Sequence, residues 1–257
     1  MSEPELGIRV VEDDGILVIT IDRPEQRNAV TRDVSLAIAS ALDDLDTRND
    51  LSVGVLTGAG GNFCAGMDLK RFLAGEVASI PGRGFGGLTE SPPKKPLIAA
   101  VEGYALAGGF EMVLACDMVI ASTSAIFGLP EVRRGLVARA GGLLRLPTRI
   151  PRAAALELIL TGETLDAKRA ELLGLVNCVV PLGEALEAAK DLARRISANA
   201  PLAIEAAKQV IMESQNWPRS EWFIRQAELT DSVMQSSDAK EGARAFSEKR
   251  PPVWSGT

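Results

Sequence analysis

Apolar residues recur along this chain at two different spacings, and the change from one to the other divides it. Residues 6–12 and 16–21 alternate or run apolar on either side of Asp13-Asp14-Gly15, which predicts a β-hairpin. The polar, proline-bearing segment Asp22–Asn28 predicts a loop. Thr31 then stands where it can N-cap a helix running to about Asp46, with Val34, Ile38, Ala41, Leu42 and Leu45 on one face. Short apolar runs at 53–57, 97–101 and 117–121 predict strands, with a helix at about 109–115. From about 153 onward the spacing is helical. It predicts segments at 153–160, 166–172, 182–197, 202–213, 218–236 and 239–249.

Two of the strand-like runs end in glycine-punctuated turns. Val53–Thr57 is followed by Phe63-Cys64-Ala65-Gly66-Met67-Asp68-Leu69, and Leu97–Val101 by Tyr104-Ala105-Leu106-Ala107-Gly108-Gly109-Phe110-Glu111. The repetition of strand, glycine turn and helix at an interval of roughly 45 residues predicts stacked ββα units rather than a doubly wound sheet. No G-x-G-x-x-G stands at a strand–helix junction, which speaks against a dinucleotide fold. Residues 74–93, rich in Gly, Pro and Ser, read as a mobile loop. The chain thus divides into a core at 1–198 and a helical region at 199–257. The apolar Trp217, Trp222 and Phe223 predict that this tail packs on a neighbouring subunit.

Composition narrows the function. Hydrophobic residues make up 46% of 257 residues, enough for a sizeable core, and aromatics only 4%. A net charge of −6 argues against nucleic acid or an anionic membrane as the main partner. No apolar run reaches the ~20 residues of a membrane span. Met1–Glu5 is acidic and polar, unlike a signal or transit segment, so a cytoplasmic location is expected. Cys64, Cys116 and Cys178 are widely spaced in apolar surroundings and read as reduced, half-buried thiols. With no histidine and no CxxC pair, the common zinc patterns are excluded and no metal is expected.

The absence of histidine also leaves acid–base chemistry to carboxylates. A helix start carries unpaired N–H groups and the positive end of the dipole, so two glycine turns converging on one point would cradle a developing oxyanion. Glu111 closes the second turn, in an apolar setting of Phe110, Met112 and Val113. Glu131, in Leu129-Pro130-Glu131-Val132, lies twenty positions on. Two carboxylates in one apolar mouth need not share a pKa, so one can serve as acid and the other as base. That suits the addition or removal of water across a double bond conjugated to a carbonyl.

These motifs together resemble the crotonase (enoyl-CoA hydratase/isomerase) family over nearly the whole chain. Arg23-Pro24-Glu25-Gln26-Arg27-Asn28-Ala29 resembles its N-terminal R-P-x-x-x-N-A loop, and the two turns resemble its oxyanion-hole segments. Phe127-Gly128-Leu129-Pro130-Glu131 is similar to its second-glutamate segment, and Ala245–Pro251 to its C-terminal F-x-E-K-R. The resemblance implies a ClpP/crotonase-like α/β spiral of ββα units with a C-terminal helical trimerisation region, as a homotrimer or a hexamer of paired trimers. It implies an acyl-CoA substrate, with CoA part of the substrate and no separate cofactor, and a place in fatty-acid β-oxidation. The thioester oxygen would sit between the N–H groups of Met67 and Gly108. Glu131 would deliver a proton to the α-carbon while Glu111 activates water. Arg27, Ala29, Ala65, Asp68 and Leu69 would line the nucleotide end of CoA, and Phe246 and Lys249, from the same or a neighbouring subunit, would contact its adenine and phosphate.

Retention of both glutamates points to a hydro-lyase, an enoyl-CoA hydratase making 3-hydroxyacyl-CoA. Three other readings stay open: an isomerase, a carnitinyl-CoA dehydratase-like enzyme, and a silent acyl-CoA-binding protein. The dehydratase-like reading draws on Gly84–Glu90 and Pro251–Trp254. One departure from the family pattern is Arg139, which stands in Gly135–Gly142 where standard hydratases present a glycine amide to the catalytic water. Its side chain either narrows the site, meets an acidic acyl group or turns to solvent.

Overall fold

A computed structural model describes residues 7–257, so the N-terminal segment that bears on targeting lies outside the described residues. The predicted hairpin is present as β1 (Ile8–Asp13) and β2 (Ile16–Ile21), turned at Asp14 and Gly15, both at positive φ. The main sheet has six strands in the order β1-β2-β3-β4-β6-β9, adding β3 (Val53–Gly58), β4 (Leu97–Val101), β6 (Met118–Ser122) and β9 (Cys178–Val180). Only the β1–β2 pair is antiparallel; the rest run parallel. A second, three-stranded sheet takes β5 (Tyr104–Leu106), β7 (Ile126–Gly128) and β8 (Thr164–Asp166). Each of the middle units thus places one strand in each sheet before its helix, the ββα repeat expected from the sequence.

The two-residue period of the strands decides which core each side chain enters. From β2, Leu17, Ile19 and Ile21 face the larger core, shared with α1 (Arg32–Thr47) and α3 (Gly108–Ala115). Ile16 and Val18 point the other way, joining Val53, Val55, Ile98, Ala100 and Ile120 against α7 (Ala185–Ser197). That helix supplies Ala185, Ala189 and Ala193, a four-residue spacing of small side chains that lets it lie close on the sheet. The hydroxyl of Thr31 accepts from the N–H of Val34, so α1 starts where its cap predicts.

Within 74–93, read as a mobile loop, the structure corrects the reading for residues 84–89. Residues 84–89 are buried between α1 and α3, where Phe85–Gly87 forms a 3-10 turn. Gly87 lies so close to α1 that a Cβ would stand 2.2 Å from the Ser35 carbonyl, and one on Gly86 would stand 2.6 Å from Met112 Sδ. Arg83 fastens the segment with an ion pair to Asp43 at 3.0 Å and a bond to the Gly87 carbonyl at 3.1 Å. The glycines mark close backbone approach rather than freedom.

The helical second half is as predicted, with ends shifted by a few residues. It comprises α5 (Arg152–Thr161), α6 (Ala167–Leu172), α7, α8 (Pro201–Glu213), α9 (Trp222–Gln235) and α10 (Ser237–Glu248). No described residue of α8 or α9 is buried, and Ile211, Phe223, Ile224 and Met234 present apolar side chains to solvent. Lys208 of α8 reaches back to the core, donating to the carbonyls of Pro93 and Lys95 and pairing with Asp117 at 2.6 Å. Of the cysteines, Cys64 and Cys116 are buried, not half-buried, and burial pushes each thiol up to about 12; Cys178 is exposed. No described helix is long and apolar enough to cross a membrane, and no described group of His, Cys, Asp or Glu could hold a metal ion.

Candidate active site

The two glycine turns lie side by side, joined by backbone bonds. Cys64 N–H donates to the Tyr104 carbonyl at 2.8 Å, and Leu106 N–H to the Cys64 carbonyl at 3.0 Å. This closeness needs the glycines. A Cβ on Gly109 would stand 2.2 Å from the Cys64 carbonyl oxygen, and one on Gly66 would stand 3.3 Å from the nitrogen of Gly108. Gly66 also sits at φ +99°, a conformation side chains resist. The residue before α3, Ala107, holds φ +51° without being glycine. Bonds on both sides enforce that strained turn: its N–H donates to the Gly128 carbonyl and its carbonyl accepts from Glu111 N–H. The outcome is a pair of adjacent backbone donors, Met67 and Gly108, neither of whose N–H groups finds an acceptor among the described residues.

Glu111 lies in the first turn of α3 and is buried. Its Oε1 accepts from Ala140 N–H at 2.7 Å and Gly142 N–H at 2.9 Å, which ties α3 to the start of α4 (Gly142–Arg149). Burial raises its pKa, and these two N–H groups and the Arg145 guanidinium oppose the rise. Glu131 lies in the 3-10 turn Pro130–Arg134, just beyond the end of β7. Its Oε2 is buried with no hydrogen-bond partner. Burial raises its pKa too, and the negative charge of Glu111 raises it further, against the pull of its own N–H and of Arg134. The carboxylates therefore act on each other from unlike settings. Glu111 has the groups that stabilise charge, while Glu131 has an orphaned oxygen suited to carrying a proton.

The N-terminal loop borders the first turn. Ala65 N–H donates to the Arg27 carbonyl, and Val30 N–H to that of Gly66, so Arg27, Ala29, Ala65 and Leu69 are brought near one another. The Arg27 guanidinium lies over the Tyr104 ring, 5.7 Å from its centre. The carboxylate of Asp68 is already engaged: it caps α2 (Leu69–Leu73) and pairs with Arg23 at 3.1 Å. Burial works against its ionisation, but the N–H of Arg71 and the Arg23 guanidinium hold it below the usual range. Asp68 thus braces the turn. Phe246 and Lys249 are exposed at the end of α10, and no described hydrogen bond or ion pair joins them to the site within one chain.

Several residues that hold the site escaped sequence reasoning. The Asn28 amide donates to the carbonyls of Ala59 and Asn62, anchoring the loop after β3. Arg145 donates to the Thr89 carbonyl at 2.7 Å, joining the buried 84–89 segment to the element that anchors Glu111. Arg23 and Asn28 were legible as fixed letters of the loop motif, but Arg145 carried no signal. Arg139 is exposed, and its N–H has no acceptor among the described residues.

Known proteins resemble this chain over nearly its whole length. The profile of the enoyl-CoA hydratase/isomerase family matches residues 12–257. A carnitinyl-CoA dehydratase from Salmonella typhi is 42% identical, with all of both chains covered. The crystal structure of an enoyl-CoA hydratase from Mycobacterium marinum superposes with a TM-score of 0.97 at 56% identity, covering 99% of this chain and 100% of the other. A carnitinyl-CoA hydratase from Mycobacterium avium superposes at 0.78 with 45% identity, covering 98% and 99%.

Proposed function

The chain belongs to the enoyl-CoA hydratase/isomerase family, and we propose that it is an enoyl-CoA hydratase that adds water reversibly to a 2-enoyl-CoA thioester. The observation that carries this reading is the unlike pair of buried carboxylates, Glu111 and Glu131, in a site with two unused backbone donors. Glu111, ionised, orients a water molecule and takes its proton as the oxygen bonds to the β-carbon. The double-bond electrons move onto the thioester oxygen, where the N–H groups of Met67 and Gly108 hold the enolate. Glu131 then gives its proton to the α-carbon on the same face. A proton passing from Glu111 to Glu131 through solvent restores the pair. The loop of Arg27, Ala29, Ala65 and Leu69 receives the nucleotide end of CoA. Phe246 and Lys249 complete that end from a neighbouring subunit of a homotrimer or paired trimers, built on the apolar faces of α8 and α9.

Mixing the protein with crotonyl-CoA and following loss of the conjugated-thioester absorbance tests this directly. Steady hydration is expected; CoA binding without hydration would overturn it and favour a silent acyl-CoA-binding protein. A second reading, dehydration of carnitinyl-CoA, is favoured by the names of the relatives from Salmonella typhi and Mycobacterium avium. It requires a quaternary ammonium beside Arg134 and Arg139, two cations without described partners. Isomerisation alone needs only one acid–base carboxylate, so loss of activity in both Glu111→Gln and Glu131→Gln would argue against it.

A further inference from the structure

Between Glu131 and the end of α4 the chain carries Arg133, Arg134, Arg139, Arg145 and Arg149 and no acidic residue, although the protein as a whole has a net charge of −6. Three of these guanidinium groups are committed to main-chain carbonyls: Arg133 to Thr161, Arg145 to Thr89 and Arg149 to Cys116. Arg134 and Arg139 make no hydrogen bond or ion pair with any described residue. Arg134 lies three residues beyond Glu131, and its charge already acts on that carboxyl. Arg139 is placed differently. The next residue, Ala140, donates its N–H to Glu111 Oε1 at 2.7 Å. Backbone dimensions then keep the Cα of Arg139 within about 5 Å of that catalytic oxygen. Close to it in the chain Leu136, Val137 and Leu144 expose apolar side chains, which gives this stretch an apolar rim.

We propose that Arg139 is a specificity-determining residue whose guanidinium receives a carboxylate carried at the far end of a short, unsaturated acyl group. This rests on the hydratase reading, because it is the water held by Glu111 that fixes where the β-carbon lies. A substituent one or two carbons beyond that carbon falls within reach of a side chain rooted beside Glu111. Arginine's planar fork matches a carboxylate with two parallel N–H···O bonds, and an apolar rim strengthens the pair once the acyl group covers it. The same cation repels a quaternary ammonium. The preferred substrates are therefore 2-enoyl-CoA thioesters ending in a carboxylate, and the site discriminates against the cationic carnitine type.

Three probes of similar length test this on the full-length protein: glutaconyl-CoA (carboxylate), 2-pentenoyl-CoA (neutral) and 4-trimethylammonio-2-butenoyl-CoA (cation). The expected order of kcat/KM is carboxylate, neutral, cation. In Arg139→Gln the carboxylate-to-neutral ratio is expected to fall about tenfold or more, the scale of losing a charge-assisted pair. Arg139→Lys should restore part of it, and Arg139→Asp should shift preference toward the cation. An unchanged ratio in Arg139→Gln, or a ratio that collapses in Arg134→Gln instead, would overturn the assignment. Calorimetric binding of the unreactive glutaryl-CoA and valeryl-CoA reads the same preference without turnover. Tighter glutaryl-CoA binding that depends on Arg139, with no probe hydrated, would sink the hydratase reading and leave the pairing of Arg139 with an acyl carboxylate standing. Equal binding of the two would overturn that pairing alone.

Discussion

Burial and charge place the two glutamates in unequal settings. Substituting either by glutamine keeps the shape and removes the proton chemistry, so Glu111→Gln and Glu131→Gln are each expected to lower kcat by ~10²-fold or more in the crotonyl-CoA assay. Glutamine at 111 still offers an oxygen to the N–H groups of Ala140 and Gly142, so the loop should keep its place. Stability should move the opposite way. The folded pKa of Glu131 is raised above its unfolded value by burial and by Glu111, so the folded state binds that proton more tightly. Its contribution is therefore full below the ordinary carboxylate pKa and is lost as pH rises through the raised value. Glu131→Gln should accordingly melt at a higher temperature than the parent at neutral pH, the two curves converging in acid. A parent and variant that differ by the same amount at every pH would contradict the shift. Glu111 and Glu131 were both legible as candidates because a chain without histidine leaves few groups for the work. Their inequality was not, since it arises from Ala140 and Gly142, 29 and 31 positions from Glu111.

Among the elements, the paired glycine turns are most exposed to single changes. Gly109→Ala would force a methyl group against the Cys64 carbonyl, with no flexible side chain to give way. Overpacking of this kind costs ~1–3 kcal/mol, so a lowered melting temperature is expected together with lost activity. Gly66→Ala is milder in space but forbidden in φ, and it shifts the backbone that presents Met67. Displacing one oxyanion donor costs ~10²–10³ in kcat, which steady-state kinetics on folded protein would read. At the opposite end of the chain, Arg250 holds Glu241, which also accepts from Val253 N–H, and this latch pins the final segment to α10. The Arg250 guanidinium and that N–H bring the Glu241 carboxyl down to about 2. The latch is thus complete above the ordinary carboxylate range and fails as pH falls toward that value. Hydrogen-exchange protection at residues 253–257, measured against the intrinsic rate at each pH, should be high at pH 7 and fall below pH ~4.

For the whole molecule, large apolar side chains are exposed at several places, the faces of α8 and α9 among them. The sheet and its two cores are covered by α1, α3 and α7, while α8 and α9 leave Ile211, Phe223, Ile224 and Met234 in the open. A face of that kind calls for a partner, and further copies of the chain meet the need without a second protein. Sedimentation equilibrium is expected to give a trimer or a multiple of it. Replacing Phe223 and Ile224 together by aspartate should shift the distribution toward monomer. A wild-type protein that is monomeric at micromolar concentration would contradict this arrangement.

The sequence by itself determined the repeat of strand, glycine turn and helix, the α1 cap, the helical second half and the residue types of the site. Those signals are local: apolar periodicity, a threonine before a helix, glycines where backbones must meet. The short strands β5, β7, β8 and β9 did not show, because three-residue strands carry too few positions to reveal a period, and α4 was hidden by Gly141, Gly142 and Pro147. Only the tertiary structure decided that the glycine-rich 84–89 segment is buried rather than mobile. It alone decided that Asp68 braces a turn, that Glu131 carries the orphaned oxygen, and that Arg139 is rooted beside Glu111. Each of these depends on contacts between residues far apart in the chain, and no local pattern of hydrophobic and polar positions encodes which distant backbone will close over a given side chain.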